Sequence, residues 1–339
     1  MKSMFFFFVI VVIFLSTQSC DTTEPPPDIP PGNRNIEWTT DTLKMQQGWL
    51  YLARIWGDEP ENVWAICYGG SVLNRIWQYD GQKWSTDSIP RDISPSSIYG
   101  FGRQNIWMGN ENSTIWHYNG STWNLHTTLS KSGFDKIVFN DIWGEEPQNI
   151  YAVGAADQFS GTEYTGIIAH YNGSTWKLLD LASLRVSFIQ IRKQVSSGLY
   201  FLLGVNFESS GIENKLFVFN GQVLTEILPD YKVDLINEIN GEVYFVIGKK
   251  IYKYNNNQLA IWKDFSGTNF VGFLWGRNEK DFYCKNYDGV GHYNGTDLQT
   301  LFTTDLSING GCVLENNVFL ITEDINNNLE IIIRGKIIK

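Results

Sequence analysis

The chain has 339 residues, a formal net charge of −10 and an aromatic content of 15%. The acidic balance speaks against a phosphate-binding nucleic-acid surface, and four cysteines without C-x-x-C spacing support neither a zinc centre nor a full disulfide framework. No apolar run approaches the ~18 residues that a membrane-spanning helix requires.

Residues 1–19 carry one positive charge, Lys2, then the apolar run Met4 to Leu15 and the small polar stretch Ser16 to Ser19. That layout predicts a cleaved export signal. Cys20 follows, and with Ser19 before it the site resembles the lipobox of bacterial lipoproteins, although Thr17 stands where Leu is usual. The resemblance implies that Cys20 becomes a lipidated N-terminus holding the protein to a membrane of the bacterial cell envelope, at the outer membrane or cell surface. A soluble secretory peptide with an incidental cysteine is the alternative. Between Asp21 and Asn33 stand five prolines, so 20–34 is expected to be an extended tether.

The body, 35–339, is built on a repeat. Ile55-Trp-Gly-Asp-Glu-Pro-Glu-Asn-Val-Trp-Ala65 returns as Ile142-Trp-Gly-Glu-Glu-Pro-Gln-Asn-Ile-Tyr-Ala152. Ile76-Trp-Gln-Tyr-Asp-Gly-Gln-Lys-Trp84 returns at Ile115 to Trp123 and Ile167 to Trp176. Short runs rich in Val, Ile, Trp and Tyr alternate with Gly, Asn, Asp and Pro, the pattern of strands joined by tight turns. Asp80-Gly81, Asn119-Gly120, Asn172-Gly173, Asn220-Gly221, Asn255-Asn256, Asn294-Gly295 and Gly335 are expected as two-residue hairpin turns, spaced by about 35 to 53 residues. Four short strands in roughly 40 residues make a propeller blade. The expected fold is all-β, a single β-propeller of seven four-stranded blades, at roughly 49–90, 91–130, 131–180, 181–228, 229–266, 267–306 and 307–339. The last blade is short of a strand. Glu37-Trp-Thr-Thr-Asp-Thr-Leu43 matches Lys83-Trp-Ser-Thr-Asp-Ser-Ile89, so the N-terminal segment is expected to supply it and close the ring.

These units resemble a family of bacterial exported repeat proteins with Trp-Gly…Pro-x-Asn-Val-Trp/Tyr-Ala-Val-Gly and His-Tyr-Asn/Asp-Gly-x-x-Trp motifs. The likeness is strong in blades 1 to 3, recognisable in blade 6 and faint elsewhere. It implies a propeller and an envelope location without a defined reaction. An Asp-box of the sialidase kind is absent, because no Ser or Thr stands two residues before the turn Asp or Asn.

The residues themselves point away from catalysis. His117, His170 and His292 hold one repeat position in three blades, which makes them structural by place. Trp56, Trp143 and Trp275 before Gly, and Trp84, Trp123 and Trp176 after the turn, are expected to pack between sheets, with an aromatic ligand cage as the sharper alternative. Cys284 and Cys312 are either bridged or, like Cys67, buried free thiols. No catalytic residue, metal or cofactor is expected.

The binding face is placed by loop length. Loops between second and third strands emerge opposite the Asn-Gly turns, and blades 3 and 4 carry extra residues there, at Ala155 to Gly166 and Val205 to Asn214. Asp157, Phe159, Glu163, Tyr164, Asn206, Phe207 and Glu208 are the candidate binding residues, on insertions expected to meet. The function expected is a binding or scaffolding module for a glycan, peptide or envelope protein partner. The alternative is a carbohydrate-active enzyme with its site in the propeller funnel.

Overall fold

The computed structural model describes residues 29–43, 51–68, 73–208, 211–229, 231–324 and 329–338. Residues 31–339 form one compact unit; of the unit 1–30 only Ile29 and Pro30 are described, without regular structure. The expected signal segment and Cys20 therefore lie outside the described residues.

Seven four-stranded antiparallel sheets follow one another along the chain, at 51–85, 95–128, 136–178, 187–227, 235–264 and 270–303, with the seventh from 307 to 337. First strands of neighbouring blades touch one another, so they are innermost and surround a central channel. The seventh sheet takes its outer strand from the N-terminus: Ile36–Leu43 pairs antiparallel with Leu329–Ile337, from Ile36 opposite Ile337 to Leu43 opposite Glu330. The ring is thus closed as the repeat predicted. Gly335, expected in a turn, instead lies inside the third strand between Val318 and Trp38. No hairpin follows it, because the fourth strand arrives from the other end of the chain. A Cβ there would meet the Trp38 ring at 2.7 Å, so close packing explains the glycine.

Five of the expected turns, those after Tyr79, Tyr118, Tyr171, Phe219 and Tyr293, are longer than two-residue hairpins. Each opens four residues, and the Asn or Asp side chain accepts from the two N–H groups beyond the glycine: Asp80 Oδ1 from Gln82 and Lys83 (both 2.9 Å), Asn119 from Ser121 and Thr122 (both 3.1 Å), Asn294 from Thr296 and Asp297 (3.0 and 3.1 Å). Asn172 and Asn220 repeat the arrangement. A single side-chain acceptor thus satisfies backbone donors that a longer turn would otherwise leave to water, which is why Asn or Asp precedes Gly. In blade 5 the turn is Asn256-Asn257, one residue later than expected, and both carry positive φ (51° and 61°).

Six of the seven inner strands carry a β-bulge on the upper part of the channel wall, with Ala53, Ser96, Asn140, Ile189 and Asn309 among the extra residues. A bulge bends the strand and re-aims its side chains. Here it turns polar groups toward the next blade. Ser96 and Ser97 donate to the Phe139 carbonyl (2.7 and 2.8 Å) and Asn140 to that of Phe188 (2.8 Å); Asn237, on the one inner strand without a bulge, donates likewise to the Leu274 carbonyl. Asp141 accepts from Ile191 N–H (2.9 Å) and Gln190 from Ile236 N–H (3.0 Å). Blades 2 to 6 are stitched in this way around the channel.

The tryptophans pack as expected between sheets. Trp143 meets Tyr99 and Tyr200, Trp123 meets Trp64, and Trp56 lies over Gly100 of the next blade, where a Cβ would come within 2.7 Å of the indole. All three described cysteines are free thiols. Burial pushes the Cys67 and Cys312 thiols up to about 12, so neither is poised to react.

Glu330, opposite Leu43, is only 3% exposed. Burial pushes its carboxyl up to about 8 from an ordinary 4.5, although the Leu52 N–H bonded to it works the other way and Glu323 adds to the rise. Between those two values the folded chain keeps a proton that the unfolded chain has lost. Stability therefore falls as pH rises through that window and is flat above it. Glu330→Gln removes the dependence. We expect melting temperature to fall less for the variant than for the parent between pH 5 and pH 8, with the variant melting higher at pH 8; parallel curves would contradict the assignment.

Candidate functional site

The upper rim, carrying the loops between second and third strands, brings the blade 3 and blade 4 insertions together. Both are strand extensions: Asn149–Asp157 and Tyr164–Tyr171 pair out to Asp157 opposite Tyr164, and Leu199–Glu208 and Gly211–Phe219 out to Glu208 opposite Gly211. Tyr164 joins them. Its hydroxyl donates to Asn206 Oδ1 (2.8 Å) and accepts from Phe207 N–H (2.7 Å), and its ring meets Phe207 edge-on at 6.0 Å. Arg185 lies over that ring at 4.7 Å and reaches Glu163 at 3.5 Å.

The seven sequence-chosen residues thus divide by exposure. Phe159 is 78% and Phe207 52% exposed, with Ile212 at 71% beside them. Phe159 sits at the tip of a tight turn, its N–H bonded to Asp135 (2.8 Å). Asp157 lies against Lys136 (3.9 Å) and Glu163 against Arg185, whereas Asn206 is buried and serves the joint. The Glu208 side chain lies outside the described residues. Between the two blades opens a hollow of about 250 Å³ lined by Val138, Ala155, Asp157, Gly161, Tyr164 and Phe207. Its wall is mainly apolar, and Arg185, which sequence reasoning passed over, supplies a cation at its edge.

The central channel holds a larger cavity of about 370 Å³. Of its lining, Trp56, Trp143 and Trp275 were singled out from the sequence, as packing residues or an aromatic cage, whereas none of its charged groups was. Arg192 is bonded to Asp141 at 2.5 Å, Arg54 donates to the carbonyls of Ala53 (2.9 Å) and Asn140 (3.5 Å), and Glu238 accepts from Gly241 N–H (2.7 Å). Burial, reinforced by the Glu238 carboxylate, pushes the Tyr99 hydroxyl up to about 12, so it stays a neutral donor. The wall offers both charges and aromatic faces, a setting for a small polar ligand. The available signal was the polar residue before each Ile-Trp-Gly unit, visible on aligning Arg54 with Asp141.

The repeated histidines brace their own blades. His117, His170 and His292 each bond through Nε2, at 2.8 Å, to Asn105, Asn149 and Asp281, which stand at the start of the second strand or, for Asn105, just before it. In blade 6 the pair is sealed. His292 is fully buried, Gly32 packs over it, and Arg34 donates to its Nδ1 (3.4 Å) and to Asp297 (2.8 Å). Asp281 is disfavoured by burial, but the His292 bond and the Arg277 cation (2.9 Å) together hold its carboxyl below the usual range. An Asp–His pair closed on every side serves the fold. Among the described residues no group of three His, Cys, Asp or Glu could hold a metal ion.

No protein-family model and no curated protein matches the chain. Among solved structures it is similar to YCF48 bound to D1 peptide (TM-score 0.62, 13% identity, covering 92% of this chain and 100% of that one). It is also similar to a catalytically inactive virginiamycin B lyase from Staphylococcus aureus with quinupristin (TM-score 0.61, 12% identity, 88% and 99%). YCF48 from Cyanidioschyzon merolae gives a TM-score of 0.59 at 12% identity over 88% and 98%. At these identities the likeness carries the fold alone, and the chain is a seven-bladed β-propeller.

Proposed function

We propose that this protein is an exported lipoprotein of the bacterial envelope whose propeller captures a protein partner on its upper rim, across blades 3 and 4. The observation that carries this reading is the Tyr164 joint, which holds two long hairpins rigidly together and leaves Phe159, Phe207 and Ile212 exposed beside an apolar hollow. Exposed aromatics around a preformed pocket are what a partner's apolar anchor requires. Orientation supports it. Gly32 N–H bonds to the Lys280 carbonyl on the lower rim, and Ile36 starts its strand there, so the chain enters the propeller on the rim opposite the one proposed for the partner. A peptide is also what the similar YCF48 structure holds.

A photoreactive residue placed at 159 or 207 is expected to cross-link one discrete partner in cells, and one at Val223, exposed on the lower rim, is not. Combined Phe159→Ala and Phe207→Ala should weaken capture about tenfold or more while the melting temperature stays within roughly 2 °C of the parent. Equal cross-linking from all three positions would defeat the reading. Cys20→Ser should move the protein from membrane to soluble fractions; unchanged fractionation would remove the lipid anchor.

A further inference from the structure

In blades 1 to 3 the outer strand opens with a tryptophan, Trp84, Trp123 or Trp176, and the junctions differ in what surrounds the indole. The N–H of Trp176, like that of Trp123, has no partner, but its ring is packed against Trp107 and Tyr171 (5.6 and 5.4 Å). Between blades 7 and 1, Trp84 Nε1–H donates to Asp41 (3.0 Å), a carboxylate also gripped by Arg334 (2.5 and 3.1 Å). Asp41 is the third residue after Trp38. The third residue after Trp123 is His126, whose ring fills the junction of blades 2 and 3 against Trp107 and Tyr171, at 4.8 and 5.5 Å. The third residue after Trp84 is Asp87, and it does neither. Arg91, 7% exposed, holds the Asp87 carboxylate with bonds of 2.7 and 2.9 Å. The junction of blades 1 and 2 is left with a cleft of about 130 Å³ along which lie Trp64, Gln78, Thr86, Asp87, Tyr118 and Trp123. Trp123 is 4% exposed and its Nε1–H has no partner.

We propose that this cleft is a binding site for one neutral, hydroxyl-bearing ring, a pyranose unit of a glycan. A buried indole N–H without an acceptor is costly, and a ligand oxygen in the place Asp41 takes at Trp84 restores the bond. Charge decides what kind of oxygen. At the closing junction an anion is held because Arg334 stands opposite Phe319, whereas here the residue opposite Trp64 is Gln78. With Gln78 where a cation stands at the other junction, and with Arg91 already engaged by Asp87, no group here balances a ligand carboxylate, so a neutral hydroxyl is favoured. The same hydroxyl-rich ring can donate to Asp87 and lay C–H groups against the half-buried Tyr118 ring, which is itself backed by Trp64 at 4.9 Å. At about 130 Å³, less than the ~150 Å³ of a cavity that encloses benzene, the open cleft takes one edge of the ring and leaves the rest in water. The cleft lies on the lower rim, separate from the surface assigned to a protein partner.

Ligand-observed NMR on the full-length protein, with methyl glucoside, methyl N-acetylglucosaminide and glucuronate as probes, tests this. We expect saturation transfer to a neutral glycoside and none to glucuronate. Two substitutions borrow the solutions of the neighbouring junctions: Asp87→His fills the cleft as His126 does, and Arg91→Ala frees Asp87 to cap Trp123 as Asp41 caps Trp84. Each should weaken glycoside binding by about tenfold or more. Should a variant melt early, the Trp123 indole N–H resonance of the parent decides, by moving or staying put as glycoside is added. Silence toward both neutral glycosides, preference for glucuronate, binding that survives both substitutions, or a fixed indole resonance overturns the proposal.

Discussion

Deleting residues 35–43 is expected to unfold the ring or to lower its melting temperature by roughly 10 °C or more. The segment is the outer strand of blade 7 and touches both neighbours. Trp38 packs on Phe302 and Tyr283 of blade 6 (5.6 and 6.4 Å), Leu43 is buried between blades 7 and 1, and Asp41 ties Arg334 to Trp84. Each of the larger side chains contributes about 1.5–3 kcal/mol by burial. Beyond that, eight paired positions of Leu329–Ile337 would be left as an open edge that templates aggregation. A shorter deletion ending at Asn33 keeps the strand and should cost little. Differential scanning calorimetry of the two truncations separates the cases, and an unchanged transition in the longer one would refute the closure.

Gly154→Ala should be the most damaging single substitution, destabilising by more than about 3 kcal/mol. Gly154 pairs with Phe139 where the inner strand of blade 3 bulges at Asn140, and a Cβ there would stand 1.7 Å from the Val138 carbonyl oxygen and 2.8 Å from its carbon. Those are backbone atoms. The clash can be relieved only by pulling the two strands apart, which also disturbs the bonds from Asn140 and Asp141 to blade 4. Chemical denaturation gives the cost directly; a shift under about 1 kcal/mol would mean that the bulge can relax. As a contrast, Gly161→Ala adds a Cβ into open space but at φ 69°, so its expected cost is the smaller one of backbone strain alone.

Much of the fold is legible in the sequence because its determinants are local. An Asn-Gly turn completes its hydrogen bonds within four residues, a strand shows its two faces by alternation, and repetition multiplies each weak signal. The closing strand could be identified because Glu37 to Leu43 resembles the segment after Asp80-Gly81, and Gly335 was misplaced because a turn was sought where the partner strand comes from residue 36. The meeting of the two insertions also followed from order alone, since neighbouring blades must be adjacent.

What the tertiary structure decided are the contacts between blades. Whether an indole N–H meets Asp41, is packed under Trp107 and Tyr171 or borders the cleft at Asp87 depends on side chains some 40 residues apart in the chain and on a competing arginine, Arg91. The same holds for the channel: Arg54, Asp141 and Arg192 converge only after bulges re-aim strands from different blades, and no spacing in one repeat encodes that convergence. Local chemistry chooses the blade; which polar groups face one another is set only when seven blades close into a ring and each edge meets a neighbour with its own sequence.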